Sequence, residues 1–205
     1  DTGGDSVNPP RWISLPADPV ALAAAGFHTC AAFGDGTVAC WGDNVANQLG
    51  VGGTSGAGAG IAPAPVPGLV DVVGLAAGGT RVPVGALYAN GFSCALRANQ
   101  TVQCWGANSS RELGNPTVGG VVGDAPVPVL DGDGFPVRPV AKVVAGQTHA
   151  CALLDAGALS CWGNALYQQT DTDVNNLGVV VDVAAGSLHT CAVLATGKVA
   201  CWGFN

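Results

Sequence analysis

Positive charge is scarce in this chain: seven Lys and Arg stand against fourteen Asp and Glu in 205 residues, giving a net charge of −7, and charged residues make up only 10%. A nucleic-acid partner requires a basic footprint, so that class is excluded. No run of eighteen apolar residues occurs, which leaves no candidate for a helical membrane span within these residues. Methionine is absent and the first residue is Asp1. The expectation is a processed mature protein, its signal peptide removed, or a piece of a larger one. Gly-x-Ser-x-Gly, His-Glu-x-x-His and phosphate-loop motifs are missing too, so neither catalysis nor a cofactor is expected. Cysteines two residues apart, the usual zinc spacing, do not occur.

What is present is a repeat. Nine residues separate Cys30 from Cys40, Cys94 from Cys104, Cys151 from Cys161 and Cys191 from Cys201, and each second cysteine opens a Cys-Trp-Gly. All eight cysteines belong to the pattern. Twin cysteines at this spacing also occur on paired helices, but Gly34, Gly36, Thr37 and Val38 in the first segment, and Gly197 and Val199 in the last, disfavour a helix. Each segment reads instead as a β-hairpin turning at its midpoint, at Asp35, Asn99, Ala156 or Thr196. Folding about that point sets the two sulfurs opposite each other. Cβ atoms so opposed lie about 4.5–5.5 Å apart, so four bridges within hairpins are the economical reading.

Thirty-two glycines and thirteen prolines punctuate a Val-, Ala- and Leu-rich chain, as many short strands joined by tight turns require. Paired cysteines with none left over fit an oxidising compartment, so a secreted or cell-surface location is expected. Asn99-Gln100-Thr101 and Asn108-Ser109-Ser110 are glycosylation acceptors, whereas the proline disqualifies Asn115-Pro116-Thr117.

Overlaying the units reveals further strands. A small-residue segment ending in Ala-Gly precedes three hairpins: 20–26, 140–146 and 181–186. In the second unit either Leu75-Ala76-Ala77-Gly78 or Ala86-Leu87-Tyr88-Ala89 fills that place. Proline-spaced segments at 11–16, 63–67 and 126–130 suit edge strands, because proline removes ladder donors. Each unit then offers four strands in the order proline edge, small-residue strand and two hairpin strands, with units at about 11–50, 63–115, 126–170 and 177–205. Four antiparallel strands per repeat is the sequence form of a β-propeller blade, and the fold class expected is an all-β propeller spanning 1–205.

The consensus Ala-Gly-x-x-His-Thr-Cys-Ala-Leu, turn, Val-x-Cys-Trp-Gly-x-Asn, followed by Asn47-Gln48-Leu49-Gly50, resembles the repeat of the regulator of chromosome condensation superfamily. The cysteine-bearing form is similar to secreted members, including crinkly-type receptor ectodomains; the propeller-type β-lactamase inhibitor protein is a cysteine-free relative. The superfamily commonly closes with seven blades. The four units here imply part of a larger propeller or a four-unit assembly whose edges meet something else, further blades or a neighbouring subunit. Ala165 to Thr170 replace the Gln-Leu-Gly turn of unit three, so that loop is expected to differ.

His28, His149 and His189 stand two residues before a cysteine, with Phe92 in the same place in unit two. A metal ring is disfavoured against packing or hydrogen bonding within each blade. Asp131 with Asp133, and Asp171 with Asp173, lack a full calcium ligand series. Binding without turnover is the expectation, with other extracellular protein chains or glycans as partners. The class is a structural or assembly module, the alternative a ligand-recognising receptor ectodomain, and guanine-nucleotide exchange a distant third. Loops 50–60 and 78–90, and an unpaired outer edge open to strand addition, are the candidate contact regions.

Overall fold

The computed structural model describes residues 12–52, 61–80, 91–120, 122–170 and 177–204. Within them every Cys-to-Cys segment is the expected hairpin. Asp35 Oδ1 accepts both the N–H and the hydroxyl of Thr37, and Asn99 Oδ1 does the same for Thr101. The residue after each is left-handed, Gly36 at φ 79° and Gln100 at φ 62°, which closes a three-residue loop of the kind that ends in a bulge. The strands on either side then run in register with the cysteines opposed. Bridges Cys30–Cys40, Cys94–Cys104 and Cys191–Cys201 form at Cα separations of 4.1 Å, and Cys151–Cys161 at 4.0 Å. Closing an eleven-residue loop in the unfolded chain is valued at roughly 3 kcal/mol per bridge in the chain-entropy account.

Among the described residues fourteen strands result. The first blade is β1 (Pro19–Ala25), β2 (His28–Phe33), β3 (Val38–Gly42) and β4 (Ile61–Pro65); the second is β5 (Val72–Gly78), β6 (Phe92–Arg97), β7 (Val102–Ala107) and β8 (Val122–Pro128). The third holds β9 (Val140–Ala145), β10 (His149–Leu154) and β11 (Leu159–Gly163), and the fourth β12 (Val180–Ala185), β13 (His189–Leu194) and β14 (Val199–Gly203). All pairing is antiparallel. The small-residue strands are innermost and pack in series, β1 on β5, β5 on β9 and β9 on β12; among the described residues no comparable contact joins β12 back to β1. The architecture is therefore a propeller-like arc of four disulfide-stapled blades.

Two details of the sequence reading change. The proline strands lie at sheet edges, but β4 pairs with β3 and β8 with β7, so each completes the blade before it and not the one after. Val66 N–H bonds Val38 O, and Val129 N–H bonds Val102 O. In this alternation Pro65 and Pro128 fall where an N–H would point outward, and Pro63 and Pro126 lie where the register shifts, places where its loss costs little. Trp12 to Pro16, which were expected to form the matching edge of the first unit, form no strand. In the second unit Leu75 to Gly78 fill the inner-strand place; Ala86 to Ala89 lie outside the described residues, as do most of the expected loops at 50–60 and 78–90.

The core consists of the blade-to-blade interfaces. One cluster joins Cys30, Val38 and Cys40 of the first blade to Val72, Ala95 and Trp105 of the second, and equivalent clusters fill the next two interfaces. Close approach demands glycine at fixed places. The glycine of each Cys-Trp-Gly has φ between 103° and 110°, and a Cβ there would sit 2.4–2.6 Å from a carbonyl oxygen at the head of the facing strand. The glycine of the inner-strand signature is needed for contact between blades: a Cβ on Gly78 would lie 2.4 Å from Gly146 O, and one on Gly146 would lie 2.3 Å from Gly186 O.

Gly163 and Gly197 separate strain from collision. Both have positive φ, but a Cβ on Gly163 meets Thr148 O at 2.5 Å whereas one on Gly197 meets nothing within 4 Å. Gly197→Ala should cost about 1 kcal/mol and Gly163→Ala about 3 kcal/mol or more in urea unfolding. Equal losses would show that the contact is relieved by backbone movement.

Candidate functional site

The recurring polar side chains converge on the seams between blades. After Cys-Trp-Gly the chain turns tightly. Asn44 Oδ1 accepts Leu49 N–H at 3.0 Å, Gln48 Oε1 accepts Ala46 N–H at 2.8 Å, and Asn47 is left-handed at φ 58°. In the second blade Asn108, Glu112 and Arg111 take these roles, with bonds of 3.3 and 2.7 Å and φ 65°. The third turn was expected to differ and does so in its cap: Ala165 stands where Asn44 and Asn108 stand, and Asn164 Oδ1 accepts Leu166 N–H at 2.7 Å, while the rest of the geometry is kept. Gln169 Oε1 accepts Tyr167 N–H at 2.9 Å and Gln168 is left-handed at φ 62°, so Gln168-Gln169 stands where Asn47-Gln48 stands.

Each turn holds out one backbone carbonyl to the next blade. Trp105 Nε1 donates to Gln48 O at 2.9 Å, Trp162 to Glu112 O at 2.8 Å and Trp202 to Gln169 O at 3.1 Å. Two of these carbonyls accept a second bond, from Ser93 Oγ at 3.0 Å and Thr190 Oγ1 at 3.1 Å. The same hydroxyls lie 2.9 Å from His28 Nε2 and His149 Nε2 of the preceding blade. A hydroxyl has one proton, and here the carbonyl takes it. The imidazole Nε2 must then carry its own hydrogen and donate it to the hydroxyl. The histidines therefore bond across the seam, not within their own blade.

The middle seam differs in both members at once. Phe92 replaces the histidine and Ala150 the hydroxyl, so neither change strands the other's polar atom. A backbone bond accompanies all three seams, from Val72 N–H to Gly36 O at 3.0 Å, Val140 to Gln100 at 3.0 Å and Val180 to Gly157 at 2.9 Å.

Burial lowers the pKa of His28 to about 4, with nearby Asp43 opposing part of the shift; it lowers that of His149 to about 4 as well, aided by His189. Both are neutral at physiological pH. Glu112 is buried in the place Gln48 and Gln169 hold in their turns. Its Oε2 takes the Ser110 N–H, its Oε1 has no partner, and burial raises its pKa against that bond.

Asn99 is exposed at a hairpin tip, as the sequence implied. Asn108 is 6% exposed, and besides capping Leu113 N–H its Nδ2 donates to Val118 O and Gly120 O at 3.4 Å each. A glycan on Nδ2 would replace one of the two hydrogens these bonds use, so in the folded chain Asn108 serves as a buried turn residue. Asp131 Oδ1 caps the N–H groups of Asp133 and Phe135; Asp171 and Asp173 lie outside the described residues, among which no cluster of three metal-ligating side chains occurs. The seam itself was missed in the sequence. The signal was the residue immediately before each first cysteine: Ser93 follows a unit with His28, Ala150 follows one with Phe92, and Thr190 follows one with His149.

Residues 20–48, 140–169 and 180–205 match the family model of the regulator of chromosome condensation (RCC1) repeat. The RCC1 domain-containing protein RUG3, mitochondrial, of Arabidopsis thaliana is 32% identical over 153 residues, which is 73% of this chain and 31% of that protein. Yeast RCC1 (Prp20), solved bound to Kap60, has a TM-score of 0.74 at 24% identity, covering 95% of this chain and 45% of that one. The ectodomain of the Physcomitrella patens receptor kinase CR4 has a TM-score of 0.52 at 24% identity, covering 90% and 40%. The chain thus spans less than half the length of each.

Two outcomes test the seam. Because His28 and His149 titrate lower in the folded chain than in the unfolded one, stability is full above about pH 6.5 and falls as pH drops toward 4, by up to roughly 3 kcal/mol per histidine. His28→Phe with Ser93→Ala, which copies the middle seam, should remove its share of that fall; an unchanged pH profile of denaturant midpoints would place the proton uptake elsewhere. For Glu112 the sign is opposite: the raised pKa makes stability decline as pH climbs above the ordinary glutamate range. Glu112→Gln should gain about 1 kcal/mol at neutral pH and nothing under acid, and equal gains at both would refute a charge effect.

Proposed function

We propose that this chain, which carries repeats of the regulator of chromosome condensation (RCC1) type, is a non-catalytic structural or assembly module of an extracellular or cell-surface protein, contacting other protein chains or glycans. The observation that carries this reading is the use made of the recurring polar side chains. At the three internal seams the histidines, Ser/Thr hydroxyls, tryptophans and Gln or Glu turns engage an adjacent blade, so the chemistry repeated along the chain is that of joining one unit to the next. Four disulfides support an oxidising exterior compartment. They weigh against guanine-nucleotide exchange on a cytosolic or nuclear GTPase. Strand addition remains a route of contact, because β14 has a free outer edge among the described residues.

A ligand-recognising ectodomain is the second reading, favoured by the fold shared with the Physcomitrella receptor kinase. Loops on a rigid scaffold would carry recognition in either case. The two separate on what is captured when the chain is presented to extracellular extracts, a matrix or wall component for the first and a soluble ligand for the second.

Exterior location makes a site-specific expectation. Secreted from eukaryotic cells behind a signal peptide, the chain should show no free thiol and one N-glycan, on Asn99. Asn99→Gln should abolish the glycosidase-sensitive mobility shift. Asn108→Gln should leave it in place while lowering stability. A reduced but fully folded chain isolated from its source would overturn the exterior reading.

A further inference from the structure

The three internal seams have two sides, and among the described residues each side is left without its counterpart at one end of the arc. On the leading side a blade offers its disulfide, a Val or Leu at the start of the second hairpin strand, and a His or Phe. On the trailing side the next blade covers these with its tryptophan, an inner-strand Leu or Val, and a Ser, Thr or Ala. At the leading position Val38, Val102 and Leu159 are 1%, 0% and 8% exposed, but Val199 of the fourth blade is 65% exposed and Cys201 beside it is exposed too. At the trailing position Val143 and Val183 are 6% and 1% exposed, but Leu22 of the first blade is 60% exposed. The polar pair matches as well: His189 on the fourth blade has no Ser or Thr partner among the described residues, and Thr29 on the first faces no histidine.

We infer that the open face of the fourth blade is a docking surface for the open face of the first blade in a second copy of this chain, with Leu22 and Trp41 of one copy over Val199 and the Cys191–Cys201 bridge of the other and Thr29 beside His189. The occupant follows from continuity with the seams already built: the two faces are halves of an interface the chain forms three times. His189 calls for a hydroxyl-bearing partner, as His28 and His149 do, and Thr29 supplies one. Such a contact is heterologous, so it adds copies head to tail.

The new seam is weaker than an internal one for two visible reasons. Pro19 stands where Val72, Val140 and Val180 donate their backbone N–H to the preceding hairpin tip, so that bond cannot form. Leu15 already packs over Ala31, Phe33, Ala39 and Trp41 on the outer half of the first blade's face.

The test is sedimentation of the purified, oxidised chain from low micromolar to near-millimolar concentration, with Leu22→Asp and Val199→Asp, both at exposed positions that folding tolerates. The chain itself should associate reversibly, and each variant alone should be monomeric. An equimolar mixture of the two variants should form dimers and nothing larger, because only one sound face remains on each. A chain that is monomeric throughout, variants that associate as the parent does, or a mixture that stays monomeric would each overturn the interface. The inference rests on the assembly reading but uses no extracellular ligand, so its failure would remove this interface and leave exterior binding to be judged on its own test.

Discussion

One carbonyl oxygen per seam organises the molecule. The oxygens of Gln48, Glu112 and Gln169 each accept the indole N–H of the following blade's tryptophan, and two of them accept a hydroxyl as well. For that oxygen to face its neighbour the turn must be tight, left-handed at its third residue and internally capped, which explains the Asn and Gln side chains within it. For the tryptophan to reach it the following glycine must clear the indole: a Cβ on Gly50 would lie 2.7 Å from Trp105, and one on Gly114 2.8 Å from Trp162. The repeat consensus describes a seam more than it describes a blade.

The seams also show how buried polarity is kept in balance. An unpaired buried hydrogen-bonding group costs about 1–3 kcal/mol, so neither histidine nor hydroxyl can change alone without loss. Phe92 opposite Ala150 changes both and restores an apolar fit. Glu112 is a single change in a turn that elsewhere uses glutamine; its Oε1 is unpartnered, as is Gln169 Nε2 at the same place in the third turn.

The hairpins were legible in the sequence because cysteine spacing, turn residues and β-branched neighbours all stated the same local geometry. The inner strands were legible through their Ala-Gly endings, which reflect close approach of backbones. Assignment of the proline strands to blades was not legible. Sequence order suggested that Pro63 to Pro67 open a unit, while hydrogen bonding, which sequence does not record, attaches them to the strand that came before. The kept geometry of the third turn escaped because Gln168-Gln169 carries it without the Leu-Gly that usually marks it. The histidines were assigned a local role since their partners lie 41 and 65 residues away. Long-range polar pairs leave only a faint trace in one sequence, the matched alternation of His with Ser/Thr and Phe with Ala.

Placing each bridge at the base of a hairpin has a consequence for resistance to proteolysis. The tips at Asp35, Asn99, Ala156 and Thr196 are exposed, and exposed turns are where proteases cut. Each tip lies between the two cysteines of its own disulfide. A nick there leaves the two fragments covalently joined and the blade's strands still side by side, whereas a cut between blades, in the stretches 66–71 or 129–139, divides the chain in two. Proteolysis of the exposed tips would therefore score the molecule repeatedly without taking it apart.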